Sequence, residues 1–592
     1  MDFRDQNDTV LIHDAQRAVW LLFTRPVRVL QTDRPDNVLK ILAEVDEAVT
    51  GKGLHAAGFV AYEAAPAFDS ALKTKKSDGF PLIWFGIYGA PEIVDGPEAP
   101  AAPGKSISWK PSIERETYSS SIFNIKERLH KGDTYQVNYT FRMYTPSLRN
   151  PWDLFSRMLH SQGGRYGAYL NLKDWMICSA SPELFFQLDG DELVSKPMKG
   201  TMKRGLWNEN DLRQAVRLGH CEKNRAENLM IVDMVRNDLG RIAKPGSVYV
   251  PTIFEVEKYP AMWQLTSTVC GNTTAGLQEI FTALFPPASI TGAPKAKTME
   301  IIHDLENTPR RVYTGAIGYF SPGRKAQFNV AIRTLLIDKL NDTAEFGVGG
   351  GIVWDSVESA EFEECKTKAS ILSRSMPEFS LLETMSWKPK TGYVLLEKHL
   401  DRLTESAAYF DRTVDMDALR DKLSTLSLHM LEKPHRIRII VPPSGEPVIE
   451  TKIMSAPSGK PYRVCLAKTP VKTDNIFLYH KTTNRTVYED ALKECPGYDD
   501  VILFNEENEI TESCIANVLV EIEGRLYTPP VHSGLLNGTY RSFLLDQGKV
   551  QEKIIRLKDL HLCTKIYLVN SVRGMWEISL DLEERLCASG VH

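Results

Sequence analysis

An acid, an amine and a further carboxylate lie close together in the middle of the chain. The stretch Ser181-Pro-Glu183 is followed by Lys196-Pro-Met-Lys199-Gly-Thr201, and Arg225-Ala-Glu227 comes soon after. A deprotonated amine is a nucleophile, a carboxyl group can protonate a leaving group, and a carboxylate oxygen can bind a metal ion. This region therefore carries the residue types of a candidate catalytic site.

A second group of reactive residues lies far along the chain. His480-Lys481-Thr-Thr-Asn-Arg485 is followed by Thr511-Glu512-Ser513 and Asn517. These residues indicate a different chemistry on the same polypeptide. We interpret the chain as two enzymes fused end to end.

Length and composition limit the class of protein. A chain of 592 residues exceeds what one hydrophobic core usually serves, so two or more large domains are expected. Its 43% hydrophobic and 25% charged residues are typical of a folded, soluble protein. A net charge of -5 and the lack of a basic block argue against a nucleic-acid partner.

The chain shows neither a targeting segment nor a membrane span. The amino terminus lacks the basic and then apolar layout of a signal peptide, and no apolar run reaches roughly 18 residues. The nine cysteines are scattered without a Cys-x-x-Cys pair, which predicts reduced thiols and neither disulfides nor a zinc site. We therefore expect a cytoplasmic protein with no membrane partner.

The organisation predicted from the sequence has three parts. A helical stretch rich in Lys and Glu stops near Pro377, which makes 373–380 the most plausible join, and residues 91–110 form a weaker break. The expected parts are an amino-terminal portion over 1–110, a catalytic core over 111–375 and a second domain over 379–592. In the first half, β-rich runs at 135–141 and 328–337 alternate with helical segments such as 222–237, which predicts an α+β fold.

Two predicted helices carry carboxylates. Glu227 recurs at helical spacing with apolar residues, and Glu361 and Glu364 lie one turn apart on a helix that follows a predicted glycine-rich turn at 347–351. Magnesium prefers oxygen ligands and often shares them with an anionic substrate. Spacing alone leaves a second interpretation open, in which these are solvated glutamates on exposed helices.

The region from about 118 to 372 resembles the chorismate-utilising enzymes, the family of anthranilate, isochorismate, salicylate and aminodeoxychorismate synthases. Seven groups of residues occur in the family's order. They are Ser181-Pro-Glu183, Lys196 to Thr201, Ala226 to Asp233 with Arg236 to Gly240, Ser289-Ile-Thr291-Gly-Ala-Pro-Lys295, Tyr313 to Tyr319, Ala331-Ile-Arg333-Thr334, and Gly349-Gly350-Gly-Ile-Val353 leading to Glu361 and Glu364. The resemblance implies a large chorismate-binding α/β domain with a β-sandwich-like architecture.

The resemblance also implies a reaction. The residue before Gly-Thr is typically alanine in anthranilate synthases and lysine in aminodeoxychorismate synthases, and here it is Lys199. Its amine would add to carbon 2 of chorismate while the hydroxyl at carbon 4 leaves, and ammonia would then displace the lysine. Glu183 matches the family's general acid, which protonates that poor leaving group.

Substrate and metal ligands follow from the same resemblance. Chorismate has two carboxylates, and the implied binding residues offer positive charge, a hydroxyl or backbone donors. They are Arg333, Tyr313, Thr291, Gly349 and Gly350. The family places Mg²⁺ between Glu227 and Glu364, with Glu361 near it or bonded through water.

Two further points concern the first domain. Gln264 stands where family members usually have histidine, and glutamine cannot shuttle protons near neutral pH. No cysteine nucleophile with a downstream His and Glu is recognisable, so ammonia is expected from a separate glutamine amidotransferase subunit.

From Leu381 onward the chain resembles the class IV pyridoxal-phosphate enzymes, an α+β family that includes aminotransferases and aminodeoxychorismate lyase. Leu381 to Met385, His399-Leu-Asp-Arg402-Leu, His480 to Arg485 and Thr511 to Asn517 occur in family order. The resemblance implies that Lys481 bonds to the cofactor aldehyde and that Glu512 pairs with the pyridinium nitrogen. The implied phosphate ligands are Arg402, Thr539 and Ser571. A homodimer through this domain is a further expectation.

Together the two resemblances imply synthesis of 4-aminobenzoate, a folate precursor. The first domain would make 4-amino-4-deoxychorismate, and the second would eliminate pyruvate from it. Class IV folds also serve transamination, so the motif alone leaves an amino-acid aminotransferase open for the second domain. Two alternatives for the whole chain are an anthranilate synthase-type domain fused to an aminotransferase, which Lys199 disfavours, and a chain with one catalytically silent half.

Overall fold

A computed structural model describes residues 2–98, 107–146, 148, 150–372, 377–430, 432–454 and 462–581. The chain divides into two compact units, Met1–Arg204 with Gln214–Met376 and Gly205–Arg213 with Pro377–His592. Residues 373–376 of the expected join and 99–106 of the weaker break lie outside the described residues. The limits at 110, 375 and 379 therefore stay predictions.

The first unit is built on two ten-stranded, mainly antiparallel sheets. The first sheet has the order Gly292–Ala293, Gln136–Pro146, Thr343–Ile352, Thr334–Asp338, Trp175–Ser181, Tyr166–Asn171, Thr9–Asp14, Val19–Phe23, Glu92–Val94, with Lys110–Pro111 beside Gln136–Pro146. The second has the order Met198–Lys203, Met262–Asn272, Glu192–Lys196, Leu184–Asp189, Lys325–Val330, Ala316–Ser321, His55–Val60, Ile83–Tyr88, Arg28–Thr32, with Tyr249–Lys258 beside Met262–Asn272.

Three large hydrophobic cores of described residues hold these layers together. One lies between the sheets, where Ile12 and Leu170 of the first sheet pack with Phe59 and Ile317 of the second. The outer face of each sheet packs against helices. Central strands such as Tyr166–Asn171 are buried at every position because both faces are covered. This arrangement confirms the expected β-sandwich-like α/β architecture.

The helices of the first unit lie mainly on these outer faces. The second sheet is covered by Val38–Asp46, Ala65–Phe68, Glu222–Gly240 and Leu277–Leu284. The first is covered by Arg115–His130, Pro151–Gln162, Lys295–Leu305 and Glu358–Ala369. One further helix, Asn208–His220, begins in the segment assigned to the second unit.

The predicted β-run over 328–337 is wrong as a single strand. It forms the end of Lys325–Val330 in one sheet and most of Thr334–Asp338 in the other. Between them Arg333 has a φ of 51°, a left-handed conformation that an extended strand cannot contain. The break moves the chain from one sheet to the other and leaves Arg333 at the crossing point.

The second unit is an α+β body, as expected. A four-stranded sheet has the order Gly392–Tyr393, Leu381–Lys388, His435–Val441, Val448–Ile453. A nine-stranded sheet has the order Gln551–Glu552, Arg525–Thr528, Asn517–Ile522, Ile510–Ser513, Asp500–Phe504, Arg463–Leu466, Ser579–Asp581, with Lys565–Asn570 beside Asn517–Ile522 and Gly574–Glu577 beside Lys565–Asn570. The helices are Leu396–Tyr409, Met416–Ser427, Thr486–Glu494 and Thr539–Asp546.

Within the described part of the chain, no helix is both long enough and apolar enough to cross a membrane.

Candidate active sites

A cavity of about 210 Å³ in the first unit brings together almost all the residues predicted there. Strands of both sheets and the helices Glu222–Gly240 and Glu358–Ala369 contribute to its wall. Among its lining residues are Glu183, Lys199, Glu227, Gln264, Tyr313, Arg333, Gly349, Gly350, Glu361 and Glu364. Thr291 follows the lining residues Ser289 and Ile290 but does not itself line the cavity, and its hydroxyl donates to the carbonyl oxygens of Pro287 and Ala288.

Lys199 projects from strand Met198–Lys203 toward a neighbouring glycine strand. Its Nζ lies 2.2 Å from the position that a Cβ would occupy at Gly351. Burial lowers the pKa of the Lys199 amine, and the negative charge of Glu227 partly opposes that shift. The environment therefore favours the neutral amine, which is the nucleophilic form.

Glu183 is a buried acid with one close side-chain donor. Its side chain is 3% exposed, and the Ser289 hydroxyl donates to its Oε1 over 2.6 Å. Burial raises the pKa of Glu183 to about 7, although the Ser289 hydrogen bond favours the charged form. Glu183 can therefore hold a proton near neutral pH.

The expected glycine-rich turn at 347–351 is wrong, because these residues lie within strand Thr343–Ile352. The glycines are required by close approaches and not by a turn. The nearest atoms to an added Cβ are the Tyr313 ring at 2.3 Å for Gly347, the Tyr139 carbonyl oxygen at 2.3 Å for Gly349 and Lys199 Nζ at 2.2 Å for Gly351. At these glycines the strand presents only backbone to the cavity, which Phe346 and Val348 of the same strand also line.

Arg333 supplies positive charge, and no carboxylate of the described residues forms an ion pair with it. Its Nη1 is buried without a hydrogen-bond partner among the described residues, and its Nη2 lies 3.1 Å from Met262 Sδ. Burial lowers the pKa of Arg333 to about 10. A buried guanidinium with an unsatisfied donor favours an anionic ligand. Tyr313 lies on the same cavity wall, with the Arg142 guanidinium 5.0 Å from its ring centroid.

The three predicted metal ligands face the same cavity. Burial raises the pKa of Glu227, and the nearby charges of Glu361 and Glu364 raise it further. Glu364 Oε1 lies 2.7 Å from Lys368 Nζ, and this cation lowers the pKa of Glu364. Among the described residues, no three His, Cys, Asp or Glu side chains are arranged to hold a metal. The oxygen donors nevertheless fit a hard cation that takes its remaining ligands from substrate and water.

Two residues that were not predicted as site residues, Gln136 and Lys368, lie beside Lys199 and the glycine strand. Gln136 is fully buried, and neither atom of its amide has a partner among the described residues. Its Nε2 lies 3.2 Å from the same Gly351 Cβ position that Lys199 Nζ approaches. Lys368 donates from Nζ to the Gly349 carbonyl oxygen over 2.8 Å. Neither residue has a local spacing that marks it.

Gln264 lines the cavity in strand Met262–Asn272. Its Oε1 accepts a hydrogen bond from the Thr201 hydroxyl over 3.1 Å, and its Nε2 lies 3.0 Å from Met262 Sδ. These contacts fix the amide beside the strand that carries Lys199. An amide in this position can orient a neighbour but cannot transfer protons near pH 7.

In the second unit, Lys481 and Glu512 have the environments expected of cofactor ligands. Burial lowers the pKa of the Lys481 amine to about 8 and raises the pKa of Glu512 to about 7. Glu512 Oε1 accepts a hydrogen bond from the Tyr488 hydroxyl over 2.7 Å, and Asn517 Nδ2 donates to its Oε2 over 3.3 Å. These donors fix a buried carboxylate whose charge a protonated ring nitrogen could balance.

The three predicted phosphate ligands lie around one buried network. Arg402 donates from Nε and Nη2 to both carboxylate oxygens of Glu383, at 2.8 and 2.7 Å. His399 Nε2 lies 2.8 Å from Ser571 Oγ and 3.2 Å from Thr539 Oγ1. Thr539 also begins helix Thr539–Asp546, whose first amides can bind an anion. The donor set of Ser571, Thr539 and this helix start suits a phosphate group.

Comparison with known proteins identifies both parts of the chain. Residues 7–374 match the chorismate binding enzyme family, and residues 380–580 match amino-transferase class IV. The chain belongs to the chorismate binding enzyme family. Its second part is a class IV amino-transferase domain. Both resemblances drawn from the motifs are therefore confirmed.

Several curated chorismate binding enzymes are similar to this chain. Aminodeoxychorismate synthase component 1 of Escherichia coli (strain K12) is 39% identical over 270 residues, which are 45% of this chain and 59% of that protein. Anthranilate synthase component 1 3 of Haloarcula marismortui is 33% identical over 367 residues, 54% of this chain and 73% of that protein. The chain thus spans less than two thirds of the aminodeoxychorismate synthase relative.

A solved structure shows the fold of the first part. Anthranilate synthase component I from Streptococcus pneumoniae TIGR4 has a TM-score of 0.52 at 24% identity, covering 60% of this chain and 92% of that one. The fold of the first part is therefore shared with that solved structure.

Proposed function

We propose that the chain makes 4-aminobenzoate from chorismate and ammonia in two steps, one in each unit. The observation that carries the proposal is the shared cavity of Lys199, Glu183 and Arg333. It combines a buried amine, a buried acid and a guanidinium with an unsatisfied donor. Similarity to aminodeoxychorismate synthase component 1 supports the choice of product for the first step.

In the first step, Lys199 Nζ forms a bond to carbon 2 of chorismate as the bond from carbon 4 to its hydroxyl breaks. Glu183 gives its proton to that hydroxyl, which leaves as water. Ammonia then bonds to carbon 4, the bond from Lys199 Nζ to carbon 2 breaks, and excess protons return to Glu183 and solvent. Arg333 and Tyr313 hold a substrate carboxylate throughout.

Magnesium fits the carboxylates of the same cavity. Glu227, Glu361 and Glu364 would hold it, and when bound it supplies positive charge next to a substrate carboxylate. Burial is the main cause of the raised pKa of Glu227, and the positive charge of the metal would offset the smaller contribution from repulsion by Glu361 and Glu364.

In the second step, the second unit eliminates pyruvate from 4-amino-4-deoxychorismate. Pyridoxal phosphate, when bound, supplies an electron sink for this reaction. Lys481 removes the proton from the ring carbon that bears nitrogen, and the bond from the ring to the enolpyruvyl oxygen breaks. A proton added to the enolpyruvyl carbon releases pyruvate, and the ring becomes aromatic. A Lys481 pKa of about 8 suits these proton transfers near neutral pH.

Ammonia would come from a separate glutamine amidotransferase subunit. The names of the similar proteins support this part of the proposal, because they describe component 1 of a synthase and imply a second component. A cytoplasmic location and a homodimer through the second unit complete the proposal.

Product analysis tests both assignments. Wild-type protein with chorismate, ammonium, magnesium and pyridoxal phosphate should release 4-aminobenzoate and pyruvate. Lys481→Ala should accumulate 4-amino-4-deoxychorismate, and Lys199→Ala should form neither product. Chromatography of the quenched reactions distinguishes these outcomes.

Other products would contradict specific parts of the proposal. Anthranilate would reject the first step and favour the anthranilate synthase alternative. Accumulation of 4-amino-4-deoxychorismate by cofactor-loaded wild type would reject the lyase step. A requirement for a 2-oxo acid acceptor would identify the second unit as an aminotransferase.

A further inference from the structure

A buried chain of hydrogen bonds in the second unit ends at two predicted phosphate ligands. Glu383 lies in strand Leu381–Lys388, and its Oε2 is 2.6 Å from His399 Nδ1. His399 lies in helix Leu396–Tyr409, and its Nε2 is 2.8 Å from Ser571 Oγ and 3.2 Å from Thr539 Oγ1. Glu383, His399, Thr539 and Ser571 are all at most 6% exposed. Solvent therefore does not supply alternative partners to this chain.

The chemistry of the partners fixes one proton of His399. An ionised Glu383 only accepts hydrogen bonds, so Nδ1 must carry a hydrogen that it donates to Oε2. In a neutral imidazole, Nε2 is then a bare acceptor, and a neighbouring hydroxyl must donate to it. A Ser571 hydroxyl that donates to His399 has no second proton to offer to a phosphate.

A proton added to His399 reverses this last hydrogen bond. Nε2 then donates to the Ser571 oxygen, and the Ser571 hydroxyl proton becomes available to another acceptor. When His399 is protonated, the acceptor that the described protein residues offer to the Ser571 hydroxyl is the Thr384 carbonyl oxygen, at 3.2 Å. A phosphate oxygen is a stronger, charged acceptor in the same site.

We propose that Glu383 and His399 are positioning residues for the cofactor phosphate, and that His399 takes up one proton at Nε2 when the phosphate binds. The proton comes from solvent, and its uptake turns Ser571 from a donor to His399 into a donor to the phosphate. The proposal rests on the pyridoxal-phosphate function proposed for the second unit. It adds that phosphate binding in this unit is coupled to protonation of His399.

The charges around His399 agree with this direction. Burial lowers the pKa of His399, the Glu383 carboxylate opposes this shift, and the cations of Arg402 and Lys481 add to it. Before a phosphate arrives, these surroundings therefore favour the neutral imidazole of His399. The Arg402 cation and the hydrogen bond from His399 Nδ1 oppose burial at Glu383 and lower its pKa, so Glu383 stays ionised and does not take the proton instead.

A phosphate dianion held by Ser571 and Thr539 would shift this balance. It would add negative charge beside the ring and favour the imidazolium. By linkage, cofactor binding would weaken as the pH rises above the pKa that His399 has in the complex. The pH dependence of cofactor affinity and the number of protons taken up on binding therefore both measure the protonation of His399.

Calorimetry with pyridoxine 5′-phosphate tests the proposal without catalysis, because this probe has the ring and phosphate but no aldehyde. The full chain, freed of cofactor, is titrated at pH 7.5 in buffers of different ionisation enthalpy, which counts the protons taken up. Wild type should take up about one proton more than His399→Gln. Its affinity should also fall more steeply than that of the variant between pH 7 and 9.

Two variants control for structure. Glu383→Gln removes the charge that favours the imidazolium, so it should also reduce proton uptake, and it serves if His399→Gln fails to fold. Glu397 lies on the same helix as His399, and Glu397→Gln breaks its exposed bidentate pair with Arg420 of helix Met416–Ser427, in which both contacts are 2.7 Å. This variant should leave proton uptake unchanged. Thermal unfolding of each variant checks the fold.

The two kinds of failure are distinguishable. Equal proton uptake by wild type, His399→Gln and Glu383→Gln would overturn the role of His399 while leaving the cofactor function intact. A wild-type chain that does not bind pyridoxine 5′-phosphate would overturn the proposed function of the second unit, and this inference with it.

Discussion

Burial raises the pKa of two glutamates in a similar way, but their hydrogen-bond partners suit them to different roles. Burial raises the pKa of both Glu183 and Glu512 to about 7. Glu183 has one side-chain donor, Ser289, and faces the cavity that holds Lys199. Glu512 is fixed by donors on two residues besides the Leu536 amide. The first arrangement suits a group that gives up its proton, and the second suits a group that stays in place beside a cation.

Ser289→Ala should move the pH profile of the first step. The Ser289 hydroxyl donates to Glu183 and stabilises its charged form, so its removal raises the pKa of Glu183 further. An acid catalyst must be protonated, and activity is lost as the pH rises through its pKa of about 7. The alkaline limb should move up by about 1 pH unit in the variant, as measured by formation of 4-amino-4-deoxychorismate from pH 5.5 to 9.5.

Ser195→Ala is the matched control for this prediction. Ser195 is also buried, but its hydroxyl donates to the Phe185 carbonyl oxygen and it does not line the cavity of Lys199. Its pH profile should coincide with that of wild type. An unmoved or lowered alkaline limb in Ser289→Ala would show that Glu183 is not the acid that limits the first step.

At the scale of elements, the strand Thr343–Ile352 determines the shape of the candidate site in the first unit. It pairs along its length with Gln136–Pro146, and its glycines let Tyr313 and Lys199 approach its backbone. After a short loop, helix Glu358–Ala369 brings Glu361 and Glu364 to the same cavity. This strand therefore supplies the glycine wall of the cavity, and this helix supplies two of the three carboxylates proposed to hold the metal.

Gly351→Ala should stop the first step while leaving the fold intact. The added Cβ would meet Lys199 Nζ at 2.2 Å, and the end of a flexible side chain can move aside at little cost in stability. A displaced nucleophile, however, loses its alignment with carbon 2. Formation of 4-amino-4-deoxychorismate should fall by about 100-fold or more.

Gly240→Ala is the control for the general effect of replacing a glycine by alanine. Gly240 ends helix Glu222–Gly240, and an added Cβ there meets no atom within 4 Å. Circular dichroism on heating should give unfolding temperatures close to wild type for both variants. Unchanged amination by Gly351→Ala would mean that Lys199 does not need its place beside the glycine strand.

The sequence predicted those site residues whose type and place in a local motif indicate a function. Lys199, Glu183 and Arg333 were identified in this way, and they share one cavity. Ser289 and His399 also lie in these motifs, but no role was predicted for them. Their partners, Glu183 and Glu383, lie in other segments of the chain. Such pairs depend on which strands and helices meet.

The glycine segment at 347–351 shows why the remaining error arose. Several glycines in a short stretch usually indicate a turn, because glycine tolerates backbone conformations that other residues avoid. Here the residues lie in an extended strand, and the reason for glycine is crowding by Tyr313, Tyr139 and Lys199. Crowding from distant segments leaves no local pattern that a reading of the chain could recognise.

At the scale of the whole molecule, each unit has its own cores and its own candidate site. Lys199 and Glu183 lie in the first unit, and Lys481 and Glu512 lie in the second. The described contacts of each pair come from its own unit. The two reactions should therefore not require both sites to be active on one chain.

Mixing two inactive variants tests this independence. Lys199→Ala retains the second site, and Lys481→Ala retains the first, so an equimolar mixture should produce 4-aminobenzoate although neither variant does so alone. The rate should rise as the square of protein concentration at low concentration, because the intermediate must pass between molecules. No product from the mixture, with each single defect confirmed, would show that the intermediate reaches the second site only within one chain.

The contact between Lys199 and Gly351 has a consequence for how this site can change over time. The two positions divide one small volume, so a long side chain at 199 leaves no room for a side chain at 351. If alanine replaced Lys199, the space beside residue 351 would become available. Substitutions at these two positions should therefore be compensatory, and a chain that gains bulk at one must give it up at the other.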